Sequence, residues 1–305
     1  CMEKGKNQFK YLISSEMDLL WGLIIDNVGH AEIPVNYKVY PPRDRHPSDY
    51  QFNPQNGRML DNYQLIYISE GKGTFYLSKD KSIPVTAGDM LIIPPYTWHS
   101  YFPEKKTGWK EYWIGMHGPN IDERYKNGFF CTDKLLYKIG LRDDIIQLYK
   151  QAIELSFSEL ASYQQVIAGI GNLILGLSLY YNRNQRFTDD SMIKKVDQAR
   201  VIMREKYLDN ISPKEVARQV NMGYSWFRKL FKEYTNVSPA HFILELKLQK
   251  AKSILLNTSL SIKEISYEVG YDDPTYFIAL FKKHTGFTPL AYRNTFSSKE
   301  IPDLI

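Results

Sequence analysis

Apolar and polar positions between Ile211 and Arg293 follow the spacing of amphipathic helices, and the whole pattern occurs twice. The first copy contains ISPKEVARQV and FRKLFKEYTNVSP, and the second contains LSIKEISYEV and FIALFKKHTGFTP. In each copy two apolar residues lie four positions apart, as Val216 and Val220 do, which places a narrow apolar stripe on one side of a helix. Each copy is therefore predicted to form two short helices that pack against each other.

Signals for helix starts and turns flank these stripes. Ser212 and Ser261 each precede a glutamate by three positions, the S-x-x-E pattern of a capping box, so the first helix of each copy is predicted to begin there. Asn221 and Gly270 tolerate a left-handed backbone, so the chain is predicted to turn after each first helix. A second helix follows each turn. A helix-turn-helix of this kind can place its second helix in the major groove of DNA.

The two copies, their offset of 49 to 50 residues and the closing GFTPLAYR resemble the paired helix-turn-helix region of the AraC/XylS family of bacterial transcription regulators. The resemblance covers about a third of the chain. It implies a sequence-specific DNA-binding regulator without catalytic residues, and an ordinary small helical domain is the alternative. The residues expected to contact DNA lie on the second helices: Ser225, Trp226, Arg228, Lys229 and Lys232 in the first copy, and Thr275, Tyr276, Ile278, Ala279, Lys282 and Lys283 in the second.

The two copies are predicted to read DNA unequally. Ile278 and Ala279 stand where the first copy has Arg228 and Lys229. Neither side chain can donate a hydrogen bond to a base edge, although both can touch a thymine methyl group. Most hydrogen-bonded base readout is therefore assigned to the first copy. Packing of Ile278 against the neighbouring helix is the alternative.

The charge distribution supports this assignment. Residues 190–296 carry 17 Lys and Arg against 11 Asp and Glu, whereas residues 1–189 carry 21 of each. The excess positive charge therefore lies on the repeated segment, as expected of a region that neutralises DNA phosphates. A basic surface that is merely solvated is the alternative.

From Asn62 to Gly118 the pattern changes to short runs of β-branched and aromatic residues. The turn clusters GKG, SKDK, AGD, PP and EKKTG separate these runs, which predicts antiparallel strands in a small barrel or sandwich. Residues 1–60 have the weakest pattern. The stretch NYKVYPPRDRHPSDYQF favours strands or ordered loop over helix, because proline restricts both itself and the residue before it.

These strands resemble the cupin-like sensory domain of AraC-type regulators. The stretch from Gly88 to His99 is similar to the second cupin motif, with Tyr96 where that motif usually has glycine, and the first motif is missing. A metal site in a barrel needs about three or four His or carboxylate ligands, and His99 is the only imidazole in the strand block before His117. We therefore expect no metal, no cofactor and no enzyme activity. A metal-cupin enzyme, or a metal-free relic of one, is the alternative from another class.

Strand alternation brings a candidate ligand site together. Trp109, Glu111 and Trp113 share one face of a strand, and a carboxylate between two indoles suits a sugar, which needs hydrogen bonds and stacking. The resemblance also implies pocket-lining positions for His99 and Tyr101. Core or surface packing is the alternative for each of these residues.

Glu70 is the fifth residue assigned to the effector site, together with His99, Tyr101, Glu111 and Trp113. The arabinose-responsive member of the family has an arginine at the place of Glu70, just before its glycine-rich turn. The effector of this chain, predicted to be a carbohydrate, therefore need not be the same sugar.

Residues 134–185 have apolar positions at helical spacing and predict two helices. The apolar run from Val166 to Tyr181 is shorter than the roughly 20 residues of a membrane span, so a buried helix or a subunit contact is expected instead. The family resemblance implies that such helices join two subunits. The polar run NRNQRFTDDS is the predicted linker, with the boundary near residue 188.

Together these patterns predict a multidomain α+β chain. A cupin-like effector domain spans residues 1–130, a helical dimerisation segment spans 131–188, and the DNA-binding domain spans 189–297, with its helix-turn-helix motifs at about 212–235 and 261–285. A leading helix, MIKKVDQARVIMREKY, precedes the first copy. A connector helix over residues 239–256, roughly 27 Å long, separates the copies and sets the distance between the two reading helices.

Two cysteines, Cys1 and Cys131, provide no disulfide framework, and no signal peptide is apparent, so a cytoplasmic protein is expected. The expected partners are double-stranded DNA, a small carbohydrate effector, a second copy of the chain and RNA polymerase, with no membrane. The main alternative is a regulator of the same architecture whose barrel only dimerises and binds no effector.

Overall fold

The computed structural model describes residues 7–41, 53–185 and 190–297. The chain divides into two compact units, residues 1–188 and residues 189–305. Most of the proline-rich stretch predicted to be extended, and part of the predicted linker, including the boundary near residue 188, lie outside the described residues.

The first unit is built on one antiparallel sheet in the order β1-β2-β7-β3-β5-β8. Two further strands, β4 and β6, pair with the C-terminal half of β3. The antiparallel strands predicted from the sequence are thus confirmed. The strands are β1 Gln8–Tyr11, β2 Ile24–Ile33, β3 Tyr63–Ser78, β4 Lys81–Thr86, β5 Asp89–Ile93, β6 Ser100–Pro103, β7 Trp109–His117 and β8 Leu136–Lys138.

The GKG cluster, predicted to be a turn, lies inside β3. The first half of this 16-residue strand pairs with β5 and β7, and its second half pairs with β4 and β6. Gly71 lies at the change of partner, with φ of 84°, and a Cβ there would come within 2.1 Å of the Gly108 carbonyl oxygen. The glycines therefore permit a close approach between strands and do not end the strand.

The sheet separates two apolar cores. The inner core joins residues from both halves of the sheet, including Ile66, Phe75, Val85, Leu91 and Trp109. The outer core covers the opposite face with two long helices, α3 (Asp143–Ser158) and α4 (Tyr163–Asn184). Helix α4, the predicted apolar helix, thus packs largely against the sheet. Among the described residues, no helix has both the length and the hydropathy to cross a lipid bilayer.

Three short elements differ from the prediction. Helix α1 (Glu16–Leu20) begins at a capping box in which Ser15 pairs with Asp18, an aspartate variant of the S-x-x-E pattern. Helix α2 (Pro119–Lys126) begins at proline. Strand β8 lies beyond residue 130, where the helical segment was expected to begin, because residues 136–138 pair with β5. The sheet unit therefore extends past the predicted boundary, and helix α3 begins only at residue 143.

In residues 190–297, the described part of the second unit, all regular secondary structure is helical, as predicted, and both helix-turn-helix copies are present. Its first helix packs on α6 and α7, as predicted for the leading helix. A short 3-10 helix, Tyr207–Asp209, follows it. The helices are α5 Asp190–Lys206, α6 Pro213–Gln219, α7 Tyr224–Thr235, α8 Pro239–Asn257, α9 Ile262–Glu268, α10 Pro274–Thr285 and α11 Pro289–Ser297.

Both predicted capping boxes form. The Ser212 amide donates to Glu215 at 2.8 Å and the Glu215 amide donates to the Ser212 hydroxyl at 3.3 Å; the second copy repeats this pair at 2.7 and 3.2 Å. The turns follow at Asn221 and Gly270, with φ of 53° and 77°. Local signals in the sequence therefore fix where each short helix begins and where the chain turns.

Candidate nucleic-acid interface and effector site

Helix α7 has one buried and one exposed side. Phe227, Leu230 and Phe231 are buried, which anchors the helix in the unit. The opposite side is left open to a partner. All five residues assigned to DNA contact in this copy are exposed: Ser225, Trp226, Arg228, Lys229 and Lys232.

Helix α10 is anchored in the same way by Phe277 and Phe281, which are buried against α8 and α9. Ile278 is 36% exposed, so burial against a neighbouring helix does not account for it. The Asp273 side chain caps the start of the helix by accepting from the Thr275 amide at 2.8 Å. The residues assigned to DNA contact here are also exposed: Thr275, Tyr276, Ile278, Ala279, Lys282 and Lys283.

A buried carboxyl group lies in the inner core of the sheet unit. Glu111 is 6% exposed, and the Tyr40 hydroxyl donates to its two oxygens at 3.2 and 3.4 Å. Burial raises the pKa of Glu111 to about 7, against the opposing effects of the Tyr40 hydrogen bond and the Arg58 charge. The carboxyl group is therefore present in both ionisation states near neutral pH.

His99 and Tyr101 meet the same arginine. The Nδ1 atom of His99 lies 2.9 Å from the Thr97 carbonyl oxygen and must donate to it, so Nε2 is the acceptor for Arg58 Nε at 3.3 Å. Burial, together with the Arg58 charge, lowers the pKa of His99 to about 3, so the ring is neutral. Arg58 also donates to the Tyr101 hydroxyl at 2.8 Å.

Aromatic rings surround the buried Glu111 carboxyl group and the Arg58 contacts. Trp109 packs against Tyr40 and Tyr101, with ring centroids 5.9 and 6.0 Å apart. Its indole Nε1 is buried and has no hydrogen-bond partner among the described residues. An unsatisfied buried donor costs about 1–3 kcal/mol, so a ligand oxygen that accepted from it would recover that energy. We call Tyr40, Arg58, His99, Tyr101, Trp109 and Glu111 the interior cluster.

Trp113 shares the strand face of Glu111, as the alternation predicts, but it is only half-buried. Its ring packs beside Phe9 of β1 at 6.2 Å. It also covers Gly29, where a Cβ would come within 2.3 Å of the indole. Trp113 therefore packs against the inner core as a partly buried residue, beside β1 and β2.

Glu70 does not lie with the other predicted site residues. Its carboxylate pairs with Lys110 at 3.0 Å, and its side chain is 64% exposed. The β3–β7 register shifts between Ile68 and Glu70, so strand alternation does not carry over from Ile68 to Glu70. The assignment of Glu70 to the effector site stays a prediction that these contacts do not support.

Tyr40 and Arg58 were missed because they lie in the part of the sequence with the weakest pattern. Arg58 reaches His99 through an isolated pair of backbone hydrogen bonds, at 2.9 and 3.0 Å, that no sequence periodicity marks. Tyr40 lies directly before Pro41 and Pro42, in a stretch predicted only to be strand or ordered loop. In the sequence, this interior was indicated by the alternation of Glu111 with tryptophans in β7 and by the family resemblance at His99 and Tyr101.

The cupin-like motif deviates at Tyr96, which adopts φ of 56°. This is the left-handed conformation for which the usual glycine is suited, and a non-glycine residue there carries strain of about 1–2 kcal/mol. Within residues 7–41, 53–185 and 190–297, no group of three or more His, Cys, Asp or Glu side chains is placed to hold a metal ion.

The paired helix-turn-helix copies, with their exposed second helices, define a DNA-binding protein that carries a separate antiparallel sheet domain. Comparison with known families extends this. Residues 216–295 match the family described as a helix-turn-helix domain, and residues 42–163 match the AraC-like ligand binding domain. The chain belongs to the AraC family of transcription regulators, with a ligand-binding domain and a DNA-binding domain.

Three curated relatives resemble the chain over most of their length. The Msm operon regulatory protein of Streptococcus mutans is 26% identical over 80% of this chain and 87% of its own. The raffinose operon transcriptional regulatory protein of Pediococcus pentosaceus is 27% identical over 81% and 89%. The lactose operon transcription activator of Staphylococcus xylosus is 26% identical over 76% and 84%. Each is a regulatory protein, as is this chain.

Proposed function

We propose that this regulator responds to a carbohydrate that binds at the interior cluster. The observation that carries the proposal is the buried pair of Glu111 and Tyr40 beside Trp109, whose indole donor lacks a partner among the described residues. A carboxyl group, hydroxyls and an indole N–H on aromatic walls match the hydroxyls and C–H faces of a sugar. The names of relatives that regulate raffinose and lactose operons support the same class.

The proposed regulator acts on double-stranded DNA in the cytoplasm and there meets RNA polymerase. Residues 189–297 form the DNA-binding domain, and the sheet unit with α3 and α4 receives the effector and the second subunit. Effector binding shifts the population of DNA-binding arrangements only to the extent that its affinity differs between them.

Calorimetric titration of the full chain with mono- and oligosaccharides, including raffinose and lactose, tests this function. We expect one carbohydrate to bind, and Trp109→Phe to weaken it about tenfold, because the variant keeps a ring but loses the buried indole donor. Trp21→Phe is the matched control, since Trp21 is 57% exposed on the flank of α1. If no compound gives heat, the sheet unit serves only to join subunits.

We also propose a homodimer formed through the outward side of α4. Val166, Leu173 and Tyr180 lie seven residues apart and are 50%, 48% and 59% exposed. Gly169 and Gly176 lie between them, and a Cβ at either would meet nothing within 4 Å. Such a stripe of apolar and small residues lets two helices approach closely and bury apolar surface.

Changing Leu173 to glutamate should convert the dimer to monomer, because a carboxylate would have to be desolvated at the centre of the interface. Sedimentation velocity measures the outcome. Leu141→Glu is the control, because Leu141 is 66% exposed but lies outside α4. A Leu173→Glu protein that sediments like the wild-type dimer would remove α4 from the interface.

A further inference from the structure

A buried lysine connects the two helix-turn-helix copies. Lys247 lies in the middle of the connector α8 and is 6% exposed. Its Nζ donates to the Asn210 side-chain oxygen at 2.6 Å and to the Gly270 carbonyl oxygen at 3.1 Å. The ammonium also lies 4.5 Å from the ring centroid of Tyr271. One side chain of the connector thus touches both the segment that leads into the first copy and the turn of the second copy.

Asn210 lies at the bend that leads into the first copy, and Gly270 lies at the turn inside the second copy. Asn210 follows the 3-10 helix in a left-handed conformation, φ 55°, two residues before the cap of α6. Gly270 forms the turn between α9 and α10. A Cβ at Gly270 would lie 2.9 Å from the Leu208 carbonyl oxygen and 3.0 Å from the Asn210 side-chain oxygen. The turn of the second copy therefore packs directly on the segment that leads into the first.

Tyr271 extends this connection to the second reading helix. Its ring packs against Tyr276 and Phe277 in the first turn of α10, with centroids 5.9 and 5.7 Å apart. The Tyr271 amide and carbonyl both bond to Ser266 of α9, at 2.9 and 3.0 Å. A displacement at Lys247 would therefore reach the start of α10 through residues with fixed partners.

Lys247 is a costly choice for this position if stability alone is considered. Burial lowers the pKa of its ammonium group, opposed by the charge of Asp272. Replacing a buried charge with an apolar residue of similar volume is often neutral or stabilising. An apolar residue cannot donate hydrogen bonds to the Asn210 side chain and the Gly270 carbonyl, which belong to two separate segments of the chain.

We infer that Lys247 is a positioning residue that fixes the relative placement of α7 and α10, and thereby the spacing at which the two copies read DNA. The inference rests on DNA binding by both copies. Successive major-groove segments are about 34 Å apart, so two reading helices engage together only when their separation and rotation match the duplex. The ammonium, Asn210 and Gly270 hold that placement from the connector.

The test compares the affinities of Lys247→Met and wild type for a series of DNA sites that differ in the distance between their two halves. Wild-type protein first selects its site from randomised DNA, and the distance between the two halves of that site is then changed by one and two base pairs. Wild type should lose about tenfold or more in affinity away from its best spacing, because misplacement forfeits the base contacts of one copy. Lys247→Met should bind the best site more weakly and show less than about threefold variation across the series.

Two further variants make the result specific. Asn210→Gly keeps the left-handed backbone while removing one acceptor of the Lys247 bonds, so it should flatten the spacing profile in the same direction. Lys250→Met removes an exposed charge from the same helix. It should retain the wild-type spacing profile, with at most a salt slope lower by about 1.

Folded Lys247→Met and Asn210→Gly proteins, checked by circular dichroism, that keep the wild-type spacing profile would overturn the inference. An equal loss of affinity at every spacing would overturn it as well, since that is the result of lost stability or charge. A wild-type protein that selects no site would instead refute sequence-specific readout, and the inference with it.

Discussion

Replacing Arg228 with alanine should reduce the ratio of operator affinity to random-DNA affinity by about 10- to 100-fold, whereas affinity for random DNA should change little. Arg228 is exposed on α7, next to the buried anchor Phe227 that fixes the direction of this helix. A guanidinium that bonds guanine O6 and N7 discriminates by about 1–3 kcal/mol. Lys229→Ala should act in the same sense. Selection from randomised sites, followed by titration at fixed salt, measures both effects.

The second copy should behave differently, because Ile278 and Ala279 present no donor at the matching positions. Losing Lys282 and Lys283 together should weaken binding to all sequences alike and lower the salt slope by about 1 to 2 units. Asp273 adds a carboxylate at the start of α10, which disfavours a phosphate there. If the double lysine variant loses specificity while Arg228→Ala loses only overall affinity, α10 is the principal reader.

The helix-turn-helix copies could be predicted almost completely because their determinants are local. A capping box places its partners three residues apart, and Asn221 or Gly270 alone permits the turn. The bond from Lys247 to Asn210, in contrast, joins residues 37 apart. Helical spacing places Lys247 on the buried stripe of α8, four residues from Ile243 and four from Ala251, but it does not indicate the partners of the ammonium group. Those partners became visible only in the structure.

The sheet unit could be predicted in type but not in register. Alternation along β7 grouped Glu111 with Trp109 correctly, because β7 pairs with β2 in unbroken register from Gly115 to Trp109. Glu70 was assigned by family resemblance alone, and the β3–β7 register shifts next to it, between Ile68 and Glu70. The arginine that joins His99 and Tyr101 lies about 40 residues before them in the chain. Contacts of that range depend on the folded sheet.

Glu111 should lower the free energy of unfolding of the sheet unit at alkaline pH, and Glu111→Gln should remove this destabilisation. Burial raises the pKa of the carboxyl group from its ordinary value of 4.5 to about 7 in the folded chain. The folded state therefore holds a proton that the unfolded state releases between these values, so stability falls as pH rises from about 4.5 to 7 and then levels off. The full difference corresponds to about 3 kcal/mol.

Glutamine cannot ionise and keeps an oxygen that accepts from the Tyr40 hydroxyl, so the variant should be more stable than wild type by up to about 3 kcal/mol at pH 8. The advantage should shrink toward pH 5, where wild-type Glu111 is protonated. Denaturant unfolding followed by tryptophan fluorescence at both pH values measures this. Glu70→Gln, which removes an exposed ion pair with Lys110, should change stability by less than about 1 kcal/mol at either pH.

The same substitution connects stability to function. A buried carboxyl group that destabilises the fold is expected at a ligand-binding site, because residues needed for function often lower the stability of the protein. A sugar hydroxyl donates more strongly to a carboxylate than to a neutral acid, so carbohydrate affinity of the wild type should rise from pH 6 to pH 8 and that rise should be absent in Glu111→Gln. The opposite outcome is that the two proteins differ in stability by the same amount at pH 5 and at pH 8. That result would show that Glu111 does not titrate in this range, and it would refute the proposed role of the Glu111 charge in effector binding.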